Sequence, residues 1–125
     1  MIDDAEEIRH ALRLLLEREP DLSVVSEAAD GRAGVDAVAA HRPHLVLLDI
    51  SMPVMDGLQA LTLIREESPG SIVVMLSAFG ERSGLVEKAV ALGAHGFIQK
   101  GVTAPTMLGE LRSVLRQAAN VPGST

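Results

Sequence analysis

Cysteine, tryptophan and tyrosine are absent from this 125-residue chain, and phenylalanine occurs only twice. Without cysteine the protein has no disulfide framework, no thiol nucleophile and no cysteine-ligated zinc site. With 2% aromatic residues against 47% hydrophobic residues, the core must be built from aliphatic side chains and methionine. Such a core is typical of a parallel sheet that is covered by helices.

Positive charge is also scarce, because 11 lysines and arginines face 17 acidic residues and leave a net charge of −6. That sign is unfavourable for nucleic acid, and we expect no direct nucleic-acid binding. The apolar runs are too short to span a bilayer, and the N-terminus is acidic where a signal peptide would be basic. We therefore expect one cytoplasmic domain without membrane contact, with the domain at residues 1–119 and a linker or disordered tail at 120–125.

Strand-like and helix-like stretches alternate along the chain. Helical spacing of apolar residues follows an acidic pair, Asp3 and Asp4, either of which is expected to cap the first helix. The pattern predicts helices at residues 8–16, 33–40, 58–67, 82–92 and from 105 onwards, and strands at residues 22–28, 45–49, 71–76 and 95–99.

Alternation of this kind predicts an α/β fold with a parallel sheet and helices on both faces. Right-handed crossovers bring the carboxyl ends of all strands to one edge, where ligands of such sheets bind. Polar residues that are far apart in sequence are expected to meet at this edge, namely Asp3, Asp4, Asp49, Ser77 and Lys100.

Asp49 directly follows the apolar run 45–48, where an ionised carboxylate is costly unless a cation or a chemical role compensates it. Three carboxylates at one edge repel each other, and a hard divalent cation, most simply Mg²⁺, would relieve that repulsion. Asp49 could then attack a phosphoryl donor as a nucleophile. Lys100 would supply an ammonium that neutralises the phosphoryl oxygens, and Ser77 would supply a hydroxyl that binds the product.

These residues match a known family, since the sequence resembles the receiver domain of bacterial two-component response regulators. The resemblance covers nearly the whole chain and rests on Asp3-Asp4, on Asp49-x-x-Met52-Pro53-x-Met55-Asp56-Gly57, on Ser77-Ala78 and on Phe97-Ile98-Gln99-Lys100. It implies a doubly wound (βα)5 sheet of the flavodoxin-like strand order 2-1-3-4-5.

The resemblance also implies the source of the phosphoryl group and the ligands of the metal. Asp49 would accept a phosphoryl group from the phosphohistidine of a sensor histidine kinase or histidine phosphotransferase. Asp4 would bind Mg²⁺ directly and Asp3 through water, together with Asp49 and the backbone carbonyl of Ser51.

In the same resemblance, Lys100 contacts the phosphate, Ser77 is the switch hydroxyl and Phe97 is the switch aromatic. Phe97 would turn inward when Ser77 is drawn towards the phosphoryl group. The surface of the fourth helix, last strand and fifth helix would then control homodimer formation or an output domain that is not in this chain.

The sequence departs from the family pattern at two places. Only Met1 and Ile2 precede the acidic pair, where the family has a full first strand, so that strand is expected to be truncated or missing. Gly101 follows Lys100 where many members have proline. In this respect the sequence resembles those regulators that lack proline after the lysine and carry a helix-turn-helix output domain.

Two other functions compete with the phosphoacceptor switch. A short first strand could leave the acidic pair poorly held, which favours a phosphorylation-independent interaction module of the same fold. Aspartate-nucleophile phosphatases also place a carboxylate after a strand, but they resemble a pattern with a second aspartate two residues later, where this chain has Ser51. We therefore expect a stoichiometric phosphoacceptor with at most slow self-dephosphorylation, and no turnover enzyme.

Overall fold

The computed structural model describes residues 1–50, 52, 55–77 and 83–119 of the chain. The predicted tail at 120–125 lies outside the described residues. Within them, helices and strands alternate as the sequence predicts. Their order is α1 (Glu6–Glu17), α2 (Gly31–His41), β1 (Leu45–Asp49), α3 (Gly57–Glu67), β2 (Ile72–Ser77), α4 (Ser83–Ala91), β3 (Gly96–Gln99) and α5 (Ala104–Ala119).

The three strands form a parallel sheet in the order β1-β2-β3. On the free side of β1, Ile2 forms parallel bridges to Leu48 and to Ala28. Counting Ile2 as the first strand and Ala28 as the second gives the order 2-1-3-4-5. The predicted doubly wound fold with a truncated first strand is therefore confirmed.

Backbone hydrogen bonds integrate the short N-terminal segment into the sheet. Ile2 N–H donates to the carbonyl of Leu47 at 2.8 Å, and Asp49 N–H donates to the carbonyl of Ile2 at 2.8 Å. On the other side, Ala28 N–H donates to Met1 at 2.9 Å and Asp3 N–H donates to Ala28 at 3.1 Å. Met1 and Ile2 thus fill the strand position between Ala28 and β1.

The prediction of a strand over residues 22–28 is wrong, because only Ala28 of this segment is paired. β-propensity is expressed where a neighbouring strand offers hydrogen bonds and a packing surface. Ile2 offers them only at Ala28, and Val25 remains 58% exposed. A cavity of about 530 Å³ lies in this region, with Val24, Val38 and Leu45 among its lining residues.

Side-chain alternation along the strands divides the core into two layers. On one face, Val46, Leu48, Val73 and Met75 pack against helices α2, α3 and α4. On the other face, Leu47, Val74, Leu76 and Ile98 pack against Leu12 and Leu16 of α1 and Leu111 of α5. Both faces of the sheet are thus covered, as expected for a parallel sheet.

The helix starts differ from the prediction at α1. Its N-cap residue is Ala5, which makes no side-chain capping bond, so the expected cap by Asp3 or Asp4 is wrong. Asp3 instead uses Oδ1 to accept the Ala5 N–H at 2.9 Å, one residue before the helix begins. At α3 the cap is a full capping box, in which Asp56 and Gln59 each bond the other's backbone N–H.

No helix in the described parts of the chain has the length and apolar composition that crossing a membrane requires.

Candidate functional site

The strand ends bring the predicted polar residues to one edge of the sheet. Asp49 is the last residue of β1, Ser77 is the last residue of β2, and Lys100 follows β3 directly. Lys100 N–H donates to the Ser77 carbonyl at 2.7 Å, which ties the ends of β2 and β3 together. Asp3 reaches the same edge because Ile2 pairs with Leu48, the neighbour of Asp49.

Three carboxylates converge at this edge. One carboxylate oxygen from each of Asp3, Asp4 and Asp49 lies within 4.8 Å of the others. Asp3 is fully buried and Asp49 is 3% exposed, whereas Asp4 is exposed. Two buried carboxylates and one exposed carboxylate thus form a cluster that is open to solvent on the side of Asp4.

The Lys100 ammonium balances part of this negative charge. Its Nζ lies 2.6 Å from Asp3 Oδ2 and 3.1 Å from Asp49 Oδ1. Burial alone would lower the pKa of Lys100, but its pairing with the carboxylates of Asp3 and Asp49 outweighs burial and raises the pKa above its ordinary value. Lys100 therefore carries a positive charge at neutral pH.

The donor set fits a divalent cation. Asp3 Oδ2 is buried and accepts no hydrogen bond from the described residues, although the Lys100 ammonium lies at ion-pair distance. Three carboxylates and one ammonium leave a formal charge of two negative units, which a divalent cation would neutralise. Oxygen ligands of this type are those that Mg²⁺ prefers.

A close approach of α3 shapes the loop after Asp49. Gly57 N–H donates to the Ile50 carbonyl at 3.0 Å. A Cβ at position 57 would lie 2.6 Å from Ile50 Cα and would clash with the Asp49 carbonyl oxygen, so only glycine allows this packing. The signature that ends in Gly57 therefore has a steric reason as well as a chemical one.

The remaining predicted residues are placed as follows. Ser77 is 8% exposed and pairs with Gln99 across β2 and β3. Phe97 lies opposite Met75 and is partly buried against the core layer under α2, α3 and α4. Ser51, whose carbonyl is a predicted metal ligand, lies outside the described residues. The structure thus brings Asp3, Asp4, Asp49 and Lys100 into one cluster, with Ser77 joined to it through the backbone.

One contact to the site was not expected from the sequence. Arg9 of α1 donates from Nη1 to the backbone carbonyl of Asp3 at 2.6 Å. An arginine on an amphipathic helix is normally assigned to the solvent face. The only signal for its role is its position on the helix that directly follows the acidic pair.

Comparison with known proteins places this geometry in context. The family model "Response regulator receiver domain" matches residues 1–112. The chemotaxis protein CheY of Halobacterium salinarum is 34% identical over 92% of this chain and 93% of its own length. A protein-glutamate methylesterase/protein-glutamine glutaminase of Nitratidesulfovibrio vulgaris is 40% identical over 80% of this chain, which spans only 27% of that relative.

A solved structure shows the same fold. The CheX-CheY-BeF3-Mg+2 complex from Borrelia burgdorferi matches with a TM-score of 0.84 and 33% identity, covering 91% of this chain and 85% of that one. Sequence similarity and structural similarity therefore point to the same fold and family. The chain belongs to the response regulator receiver domain family of two-component signalling proteins.

Proposed function

We propose that this chain is a phosphoacceptor switch in which Asp49 takes a phosphoryl group from the phosphohistidine of a sensor histidine kinase or histidine phosphotransferase. The observation that carries the proposal is the environment of Asp49. This residue is buried at the end of a strand, and Lys100 Nζ lies 3.1 Å from its Oδ1. Asp3 and Asp4 belong to the same cluster. A structural carboxylate would require none of these further acidic groups. Residues 1–119 would form the domain, acting in the cytoplasm.

The chemistry follows from these positions. An Asp49 carboxylate oxygen attacks phosphorus, the P–N bond to the kinase imidazole breaks, and its electron pair stays on the imidazole nitrogen. Asp4, Asp49 and the Ser51 carbonyl would hold Mg²⁺, with Asp3 acting through water, and the ion would supply positive charge to the transferred group. Lys100 adds a second positive charge beside the acceptor oxygen.

Each chain would accept one phosphoryl group and release it only by slow hydrolysis, so we propose a stoichiometric acceptor. The CheY relative supports a signalling role for this chain. The match covers 93% of that relative, so its name describes a protein that consists almost entirely of this domain. The methylesterase relative is more than three times longer than the matched segment. Its activity is therefore no guide to this chain.

The output of the switch would be a change at the surface formed by α4, β3 and α5. Ser77 lies at the end of β2 and pairs with Gln99 of β3, and Phe97 of β3 lies opposite Met75 of β2. Val90 in α4 is 57% exposed and Leu92 just after it is 42% exposed, so apolar area is available for contact. We propose that this surface governs homodimer formation or contact with an output domain, such as a helix-turn-helix domain.

The alternative function, a phosphorylation-independent interaction module, assumes that Asp3 and Asp4 are poorly held. The backbone bonds of Ile2 and Asp3 weaken that argument, because they fix the segment on both sides. The full burial of Asp3 beside Lys100 also favours the switch over the module.

Intact-mass measurement after incubation with a small-molecule phosphodonor and Mg²⁺ tests the proposal. We expect the wild-type protein to gain about 80 Da, one phosphoryl group, and Asp49→Asn to gain nothing. Asp36→Asn, which removes an exposed aspartate paired with Arg32, is the matched control and should gain the same mass as wild type. Chelation of Mg²⁺ and Asp4→Ala should both reduce the gain. An equal gain in Asp49→Asn would refute the assignment, and size-exclusion chromatography of the same samples would report dimer formation.

A further inference from the structure

Arg9 connects three separate pieces of the chain. It belongs to α1, its Nη1 donates to the Asp3 carbonyl at 2.6 Å, and its Nε lies 3.7 Å from Glu27 Oε1. Glu27 directly precedes Ala28, whose carbonyl accepts the Asp3 N–H. Arg9 and Ala28 therefore bind the backbone of Asp3 through its carbonyl and its N–H, respectively.

Further contacts hold the arginine itself. Its side chain is only 16% exposed, which limits the conformations it can adopt. Arg13, one turn later on α1, donates from Nη1 to Glu27 Oε2 at 2.6 Å. Glu27 thus lies between two guanidinium groups of the same helix, and this arrangement fixes α1 against the segment that ends at Ala28.

Arg9 adds to the small set of individual contacts that hold Asp3. Its carboxylate is oriented by the Ala5 N–H on Oδ1 and by Lys100 near Oδ2, and its backbone follows a strand segment of two residues. We infer that Arg9, held by Glu27, is a positioning residue that fixes the Asp3 backbone and thereby aims the Asp3 carboxylate at Asp49 and at the bound cation. The link to the cation depends on the proposed function, whereas the link to Asp3 does not.

Charge and position predict opposite effects on metal binding. Arg9 is a cation near an acidic cluster, so its removal would strengthen Mg²⁺ binding if only its charge mattered. If Arg9 positions Asp3, its removal lets Asp3 move and weakens Mg²⁺ binding despite the lost repulsion. The sign of the change therefore separates a positioning role from a purely electrostatic one.

Three variants test this role. Arg9→Met keeps an unbranched apolar side chain and removes the guanidinium group. Arg9→Lys keeps the charge and one donor group, and Glu27→Gln loses the ion pair. Arg32→Met is the matched control, because Arg32 is exposed on α2 and pairs only with Asp36 among the described residues. Amide hydrogen exchange is measured first, without metal. We expect Arg9→Met to lower protection of the Asp3 and Ala28 amides about tenfold, because a charged hydrogen bond is lost.

In the same spectra, the amides of Val74 and Leu76 in β2 report global stability, so a variant that is merely unfolded is recognised. Glu27→Gln should lower protection at Asp3 by a smaller factor, Arg9→Lys should restore part of it, and Arg32→Met should change nothing. Unchanged protection at Asp3 in Arg9→Met and Glu27→Gln would overturn the positioning role, whatever the metal does.

Mg²⁺ titration monitored at the Asp3, Asp4 and Asp49 amides is the second measurement. We expect the dissociation constant to rise about fivefold in Arg9→Met, less in Arg9→Lys, and not at all in Arg32→Met. A lower dissociation constant in Arg9→Met would show that Arg9 acts through its charge, and an unchanged one would overturn its effect on the cation. If wild type gave no response at these amides, the proposed function would fail, while hydrogen exchange would still decide the role of Arg9.

Discussion

The sheet of this receiver domain is held together differently on the two sides of β1. Towards β2 and β3, nine residue pairs in continuous register join the strands, and the buried side chains lie on both faces. On the other side, the strand pairing among the described residues consists of two isolated bridges, from Ile2 to Ala28 and to Leu48. We call these the laddered side and the bridged side.

The functional site uses both sides. Asp49, Ser77 and Lys100 end or follow the strands of the laddered side, whereas Asp3 and Asp4 follow Ile2 on the bridged side. Strand pairing thus places the proposed acceptor Asp49 and Lys100, whereas a few individual contacts place Asp3 and Asp4, the carboxylates proposed to bind the metal. Local stability is expected to differ accordingly, because regions with few buried contacts open more easily.

The largest predicted difference between the sides concerns side-chain deletion. Met75 in β2 is fully buried, and Met75→Ala should reduce the free energy of unfolding by about 2–5 kcal/mol. Val25 in the bridged side is 58% exposed, and Val25→Ala should change it by less than about 0.5 kcal/mol. Urea denaturation followed by circular dichroism measures both.

Val74→Ala, also fully buried in β2 but on the opposite face, is the control for position within the laddered side. A loss in Val25→Ala as large as that in Met75→Ala would mean that the segment before Ala28 is packed in solution, and the distinction between the two sides would no longer hold.

A glycine on α2 tests the bridged side directly. A Cβ at Gly34 would lie 2.5–2.8 Å from three side-chain carbons of Ile2, so Gly34→Ala must displace the residue that forms both bridges. Overpacking costs about 1–3 kcal/mol, against about 1 kcal/mol gained in helix propensity. We expect a net loss of about 1 kcal/mol in urea denaturation, together with weaker Mg²⁺ binding because Asp3 follows Ile2.

Gly109→Ala is the matched control, because Gly109 lies within α5 and a Cβ there meets no atom within 4 Å. This substitution should stabilise the protein by about 0.5–1 kcal/mol through helix propensity alone. The same chemical change should thus have opposite signs on the two helices. Stabilisation by Gly34→Ala would show that Ile2 moves aside freely and contributes little to the fold.

Sequence reasoning was most accurate where local pattern and tertiary environment agree. The apolar run 45–48 predicts β1 with its bounds, because a strand buried on both faces needs apolar residues throughout. Residues 22–27 carry a similar preference but have no paired neighbour, so they form no strand. Strand formation depends on the partner as much as on the segment.

The site shows the same limit. Asp3, Asp4, Asp49 and Lys100 could be grouped from the sequence, because parallel strands place their carboxyl ends at one edge. The contact of Arg9 with the Asp3 carbonyl could not, since it depends on how α1 packs across the segment before Ala28. A capping role for Asp3 was the simpler local expectation, and burial of its carboxylate beside Lys100 overrode it.

The smallest predicted effect concerns the amino-terminal end of the laddered side. Val73 N–H donates to Nδ1 of His95 at 3.0 Å, and His95 N–H donates to the Val73 carbonyl at 2.8 Å, so the imidazole extends the pairing of β2 and β3. The bond to Nδ1 requires an imidazole that is unprotonated at that atom. Burial, followed by the nearby Arg65 guanidinium, lowers the pKa of His95 below its ordinary value.

Since the folded protein then binds fewer protons than the unfolded chain, the stabilisation is complete above about pH 6.5 and is lost as the pH falls below that value. His95 is an exposed residue and solvent screens the effect, so we expect a loss of only about 0.5 kcal/mol between pH 7 and pH 5. His95→Asn keeps an acceptor and does not titrate, so urea denaturation at both pH values should show this loss in wild type but not in the variant. His41→Gln, an exposed histidine at the end of α2, should behave like wild type. An equal loss in His95→Asn would place the pH dependence in other groups, and the laddered side would then depend on backbone pairing and core packing alone.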